Sequence, residues 1–263
     1  MSAADRPRIA VFRPPDGRLA AAAELLESLG ADPVADPMLT VDPTGDVPRS
    51  DADYVVFTSK TGVELVAGER AEEGGPDERW EAGDATVCAI GESTADALRD
   101  HDYPVDRVPA EFSSAGLVEA LEDEVDGARA EVARSDHGSA VLLTGLEDAG
   151  AYLHETVLYR LERPADAGES AEVAAAGNLD GAVFTSSLTV RHFLAAADER
   201  DVREEALDGL ADAVVGVIGD PTAETAADAG VAVDVIPETA DFEALAEAVV
   251  EAASGDDTVS DGV

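Results

Sequence analysis

The sequence predicts an α/β fold: two similar, doubly wound parallel-sheet lobes, joined by two crossing linker segments, with one lobe discontinuous in sequence. Three observations predict it. Short apolar runs alternate with stretches of helical periodicity along the chain. A block of motifs in the first half returns in the second. One strand–helix–strand at the N-terminus finds no place in the first half.

The alternation starts at Ile9–Phe12, a short apolar run that reads as a buried strand. Leu19, Ala22, Ala23, Leu26 and Leu29 follow at helical spacing, and Gly30 stops that helix. Tyr54–Phe57 is a second strand, with Thr58 and Ser59 placed to cap the next helix. Thr86–Ile90 is a third, and Gly91 opens a helix running to about His101. Val105–Val108 reads as a short strand. Ser113 and Ser114 cap a helix carrying Leu117 and Leu121. Ala140–Leu143 and Thr156–Tyr159 read as further strands. Strands and helices alternating at this size imply parallel sheets covered on both faces.

In the repeat, Asp53-Tyr54-Val55-Val56-Phe57-Thr58-Ser59 matches Asp180-Gly181-Ala182-Val183-Phe184-Thr185-Ser186, an offset of 127 positions. Ile90-Gly91 with Thr94-Ala95 matches Ile218-Gly219 with Thr222-Ala223 at an offset of 128, and Asp106–Pro109 matches Asp234–Pro237. The halves therefore share one fold. The strand expected at Ala140–Leu143 has no counterpart after Ala253, so the unassigned segment from Ile9 to Ala35 is placed in the C-terminal lobe. Lobe one becomes 1–36 plus 165–253, and lobe two becomes 39–160. The chain then crosses near Asp36-Pro37 and Arg163-Pro164, an arrangement that permits a hinge with a ligand held between the lobes. Residues 71–82 read as an acidic loop and 254–263 as a disordered acidic tail.

Composition excludes several classes. No apolar run approaches the roughly 20 residues of a membrane span, and residues 1–8 carry no secretory core; a cytoplasmic location is the expectation. The single cysteine, Cys88, excludes an intrachain disulfide, and four scattered histidines give no metal-ligand spacing. Asp and Glu number 58 against 17 Lys and Arg, a net charge of −41. The acid is spread along the whole chain, which reads as adaptation to concentrated salt rather than an acidic binding tail. No basic stripe offers itself to nucleic acid.

Ligands of open parallel sheets sit beyond the carboxyl ends of the strands. Thr58-Ser59, Gly91 to Thr94 (with Ser93), Thr185-Ser186-Ser187 and Gly219 to Thr222 all fall at such ends. Each combines small hydroxyls with a helix N-terminus, a setting suited to an anion, and each is equally suited to plain helix capping. No G-x-G-x-x-G, P-loop or G-x-S-x-G element is present. Tyr159 ends an apolar strand beside the second crossing; its phenol can donate a hydrogen bond to a leaving hydroxyl, or simply fill an interface. Arg13 ends the first strand and can pair with a carboxylate or face solvent. Lys60 and Arg191 are weaker cases of the same kind.

The motifs Phe12-Arg13-Pro14, Val56-Phe57-Thr58-Ser59, Ala89–Thr94, Val108–Leu117, Val157-Leu158-Tyr159-Arg160, Val183–Ser187 and Val217–Thr222, in that order and spacing, resemble the uroporphyrinogen-III synthase family over roughly residues 8–250. The resemblance implies a cofactor-free lyase of tetrapyrrole synthesis. Its substrate is linear hydroxymethylbilane, which loses water and closes with inversion of ring D through a spiro intermediate. Tyr159 matches the family tyrosine that helps the hydroxyl leave. Thr58, Ser59 and Thr94 match cleft hydroxyls of one lobe, and Ser186, Ser187 and Thr222 those of the other; Ser114, within the Val108–Leu117 motif, is a further substrate-binding candidate. Backbone amides at these places are expected to receive acetate and propionate groups. A monomer with transient handover from the preceding pathway enzyme is the expectation for partners. Pro221 replaces a family hydroxyl, and the segment Gly145–Glu155 is short for the helix expected before Tyr159. Two other classes stay open on the residues alone: a two-lobed small-anion binding or sensing protein without catalysis, and a noncatalytic relative that uses the scaffold for protein contacts.

Overall fold

The structure, a computed structural model, describes residues 6–69, 74–76 and 78–255. Residues 71–73 and 77 of the expected acidic loop, and 256–263 of the expected tail, lie outside them. In chain order the elements are β1 (Arg8–Val11), α1 (Gly17–Ser28), β2 (Asp32–Ala35), β3 (Thr40–Pro43), β4 (Tyr54–Phe57), α2 (Lys60–Val66), β5 (Thr86–Ala89), α3 (Glu92–Asp100), α4 (Ser114–Leu121) and β6 (Arg129–Ser135). There follow α5 (Ala140–Asp148), β7 (Tyr152–Glu162), α6 (Glu169–Ala175), β8 (Gly181–Phe184), α7 (Ser187–Glu199), α8 (Arg203–Ala211), β9 (Val214–Val217), α9 (Asp220–Asp228) and α10 (Phe242–Ala253).

The chain forms two compact units: unit 1 is Met1–Thr40 with Glu162–Val263, and unit 2 is Val41–Leu161. Unit 1 holds a sheet of order β2-β1-β8-β9, and the second sheet has the order β3-β7-β6-β4-β5. β1 runs parallel to β2 and β8, β8 to β9, β4 to β5 and β6, and β6 to β7. Thus β1 and β2, made first, complete a sheet whose other strands are made last.

Strand periodicity explains why both faces are covered. Alternate residues of a strand point to opposite faces. Ile9 and Val11 belong to a core with Leu26 of α1 and Leu245 and Val249 of α10. Ala10 and Phe12 belong to a separate core with α6, α7 and α8, where Phe12 stacks on Phe184 at 4.6 Å and Phe193 meets Phe12 edge-on at 5.7 Å. Unit 2 repeats the plan, with Val55 and Phe57 on one face and Val56 on the other. No helix among the described residues is long and apolar enough to cross a membrane.

The repeat extends to polar details. Asp53 accepts from the backbone N–H of Arg129 at 2.9 Å, and Asp180 accepts from that of Arg8 at 2.7 Å. The Arg129 guanidinium also bonds Asp53, and these side-chain and backbone bonds hold its carboxyl down at about 2.

Three expectations need correction. The strand expected at Ala140–Leu143 is the start of α5, and the strand beside β4 is β6 instead. The run Ala140-Val141-Leu142-Leu143 buries Leu142 and, one turn on, Leu146, which is helical spacing. The helix before Tyr159 is therefore not shortened: α5 has nine residues and ends before β7. Val105–Val108 forms an isolated bridge, Arg107 to Cys88, made by Ala89 N–H to the Arg107 carbonyl and Arg107 N–H to the Val87 carbonyl, while the Asp106 side chain accepts from Val87 N–H.

Candidate functional site

In unit 2, Tyr159 lies near the end of β7 and is 6% exposed. Its register is irregular: Val157 faces Arg134 on β6, but the next residue of β6, Ser135, faces Tyr159. The extra residue re-aims the chain and lets Leu158 and Tyr159 enter the same buried cluster. The Tyr159 hydroxyl donates to Ser59 Oγ at 3.0 Å. Ser59 is the N-cap of α2 and also accepts from Gly62 N–H at 3.0 Å. Its oxygen thus joins the phenol to the helix start.

These residues line a pocket of about 190 Å³ with Thr58, Ile90, Ser114, Arg134, Ser135, Gly138, Ser139 and Leu142. The pocket sits at the carboxyl ends of β4 and β6, where ligands of parallel sheets bind. A larger cavity of about 550 Å³ lies at the opposite end of β6, around Arg49, Arg129, Glu131 and His154. It holds none of the hydroxyl motifs. The smaller pocket is the candidate site because it gathers Tyr159, Thr58, Ser59 and Ser114 around polar donors.

Other predicted residues occupy the same rim outside the pocket lining. Gly91 is the N-cap of α3 and supplies no side-chain cap to the first N–H groups of that helix. A Cβ on Gly91 would stand 3.3 Å from Phe112, which is 63% exposed. Ser93 is exposed in the first turn of α3, and Thr94 is 5% exposed. The cap of α4 is Ser113, not Ser114; Ser113 Oγ accepts from Gly116 N–H and Ser114 begins the helix. Likewise Ser59 alone caps α2.

Unit 1 presents the equivalent rim. Thr185 and Ser186 follow β8, and Ser186 caps α7 by accepting from Thr189 N–H. Ser187 Oγ donates to the Pro221 carbonyl at 2.9 Å, tying the start of α7 to the first turn of α9. Gly219 caps α9 without a side chain, and Pro221 sits in its first turn, where a missing N–H costs nothing. Thr222 is 4% exposed. Arg13 follows β1 with its guanidinium 4.6 Å above the Phe242 ring. Its Nε is buried without a hydrogen-bond partner among the described residues. Burial first, and the neighbouring Arg18 charge second, push its pKa below the usual arginine value.

The sequence reading missed Arg134, Gly138, Ser139 and Glu155. Arg134 donates from Nε to Glu155 Oε1 at 2.5 Å and from Nη1 to the Ser139 carbonyl at 2.6 Å. Recognising Ala130–Arg134 as the repeat of Ile9–Arg13 would have exposed it. Among the described residues, no cluster of three or more His, Cys, Asp or Glu could hold a metal.

Two parallel sheets of repeated topology, each with capping hydroxyls and helix N-termini at its carboxyl rim, define a two-unit α/β protein with the same polar rim in each unit. A family model described as "Uroporphyrinogen-III synthase HemD" matches residues 20–247. A candidate uroporphyrinogen-III synthase of Methanothermobacter thermautotrophicus is 32% identical, over 80% of this chain and 85% of that protein. The uroporphyrinogen-III synthase of Chlorobaculum parvum is 25% identical over 75% of this chain and 78% of that protein. The chain belongs to the uroporphyrinogen-III synthase family. Its fold matches a mutant uroporphyrinogen III synthase of Thermus thermophilus (TM-score 0.64, 18% identity, 92% of this chain and 96% of that one). It also matches the Helicobacter pylori uroporphyrinogen-III synthetase (TM-score 0.64, 15% identity, 94% and 99%).

Proposed function

We propose that the protein cyclises linear hydroxymethylbilane to uroporphyrinogen III, with loss of water and inversion of ring D through a spiro intermediate, as a lyase of tetrapyrrole biosynthesis. Family membership across residues 20–247 is the observation that carries this reading. The placement of Tyr159 supports it. A phenol held at Ser59 Oγ, in a pocket open to ligand, is ready to turn its hydrogen to a departing hydroxyl oxygen. Loss of that hydroxyl as water leaves ring A electrophilic, and attack by ring D at its substituted carbon follows. Unassisted closure gives the type I isomer, so holding ring D in the right pose is much of the task.

In this reading Thr58, Ser59, Gly91, Ser93, Thr94 and Ser114 of unit 2 bind acetate and propionate groups through hydroxyls and helix N-termini. Arg13, Thr185, Ser186, Ser187, Gly219 and Thr222 of unit 1 do the same. The enzyme acts as a cytoplasmic monomer without cofactor or metal, receiving its substrate from the preceding enzyme of the pathway. It is adapted to concentrated salt, where a net charge of −41 is screened. The test is a coupled assay in molar KCl, with hydroxymethylbilane generated in place and oxidised products separated by isomer. Predominantly type III product is the expected result; only type I product from folded protein would refute the reading.

A further inference from the structure

The arginine at the end of β6 sits in a prepared socket. Arg134 is 7% exposed. Glu155 and the Ser139 carbonyl hold its Nε and Nη1. Gly138 lies directly against it: a Cβ there would stand 2.6 Å from both Cδ and Nη1 of the arginine. A side chain at this position would displace the guanidinium. None of the side chain's hydrogen bonds to described residues uses Nη2, while the side chain lines the pocket that holds Tyr159 and Ser59.

The repeat supplies an independent observation. Tyr54 matches Gly181 in sequence; Tyr54 faces Ala130, and Gly181 faces Ile9. Counting along the strands, Arg134 occupies the place of Arg13. Their surroundings differ. Val132 faces Glu155, whereas the matching Val11 faces Ala35, so unit 1 has no carboxylate where unit 2 has Glu155. Arg13 instead lies over the Phe242 ring, its Nε without a partner among the described residues. A purely structural arginine is defined by its partners inside the protein. Here the arginine recurs while those partners do not, and both copies stand at the carboxyl rim where hydroxyls and helix N-termini gather.

We propose that Arg134 binds one carboxylate side chain of the substrate in the unit 2 pocket, through Nη2, with Glu155 and Ser139 fixing the guanidinium plane. The proposal rests on the synthase reading and adds a residue to it. In a chain carrying 58 acidic residues, a fixed guanidinium beside Tyr159 offers a polyacidic substrate charge-assisted donors that backbone amides alone do not.

The test compares wild type with the double variant Arg134→Gln/Glu155→Gln, which leaves no unpaired buried charge, and with Arg134→Lys, which keeps the charge but loses the planar fork. In molar KCl the double variant should raise KM by about tenfold or more while kcat falls by less than about threefold, the pattern of lost binding common to ground and transition state. Product should remain type III. A folded double variant with KM within about twofold of wild type would overturn the proposal. If the double variant does not fold, Arg134→Lys decides: a raised KM with an unchanged thermal transition supports the proposal, and an unchanged KM overturns it. A wild type that yields only type I product removes the synthase reading itself, a result separate from any effect of Arg134.

Discussion

The phenolic hydroxyl of Tyr159 and the Oγ of Ser59, 100 positions apart in sequence, meet at 3.0 Å because β7 and the start of α2 converge on one pocket. The serine is already committed as a helix cap, so its position is fixed by the backbone it caps. The tyrosine is fixed by burial and by the register irregularity in β7. Neither group must reorganise far to address a ligand, which is what preorganisation requires.

Tyr159→Phe is expected to lower kcat on the order of 100-fold, with KM nearly unchanged, since it deletes the donor to the leaving group and its bond to Ser59 Oγ while keeping the buried ring. Ser59→Ala should cost less in rate but should also lower stability by about 1 kcal/mol through the lost cap. Steady-state kinetics and thermal melts of both variants check this. Equal rates for wild type and Tyr159→Phe would remove the tyrosine from the chemistry.

The contact between α6 and α8 depends on Gly209. A Cβ there would lie 1.9 Å from the Ala174 carbonyl oxygen, so Gly209→Ala forces the helices apart. A loss of about 1–3 kcal/mol is expected. Gly17→Ala, where nothing lies within 4 Å, is the control and should leave stability unchanged or slightly raised. Denaturant midpoints for the pair give the answer.

Cys88 is fully buried in unit 2, and burial pushes its thiol up to about 12 from an ordinary 9.0. The folded state therefore binds the proton more tightly than the unfolded one. That contribution is complete below pH 9 and is lost as pH rises from 9 toward 12, at up to about 1.4 kcal/mol per pH unit. Cys88→Ala should flatten this alkaline limb. In the native protein at neutral pH, a thiol reagent should label Cys88 only after denaturation; rapid native labelling would contradict the burial.

Salt should act on the whole molecule. With a net charge of −41, transfer from molar KCl, where the Debye length is about 3 Å, to dilute buffer exposes self-repulsion that opposes compaction. Loss of far-ultraviolet circular dichroism on dilution is the expected outcome. A spectrum that stays the same would show that packing alone outweighs the charge.

The sequence made the repeat and most strands legible, because Ile9–Phe12, Tyr54–Phe57 and Gly181–Phe184 are uninterrupted apolar runs. It hid β6. Arg129, Glu131 and Arg134 break the run, yet Glu131 is 1% and Arg134 7% exposed. Each is buried with partners that only the fold supplies: His154 and Thr156 for Glu131, Glu155 and Ser139 for Arg134. Conversely Ala140–Leu143 looked like a strand, since four apolar residues cannot declare a period. The hydroxyl rims were visible as motifs. Which serine caps and which merely follows, as with Ser113 and Ser114, depends on backbone geometry that composition does not encode.

The interleaved order of the strands also bears on how the chain is made. Unit 2 is continuous, and its last strand is complete within a residue of the unit boundary at Leu161. Unit 1 is different: β1 can pair with β2 early, but its other edge waits for β8, and the Arg8–Asp180 bond that pins them spans 172 positions. During synthesis the N-terminal strand is an open edge, the kind that pairs with strangers. The second-made unit is thus the first that can close, and the first-made strand is among the last to be covered.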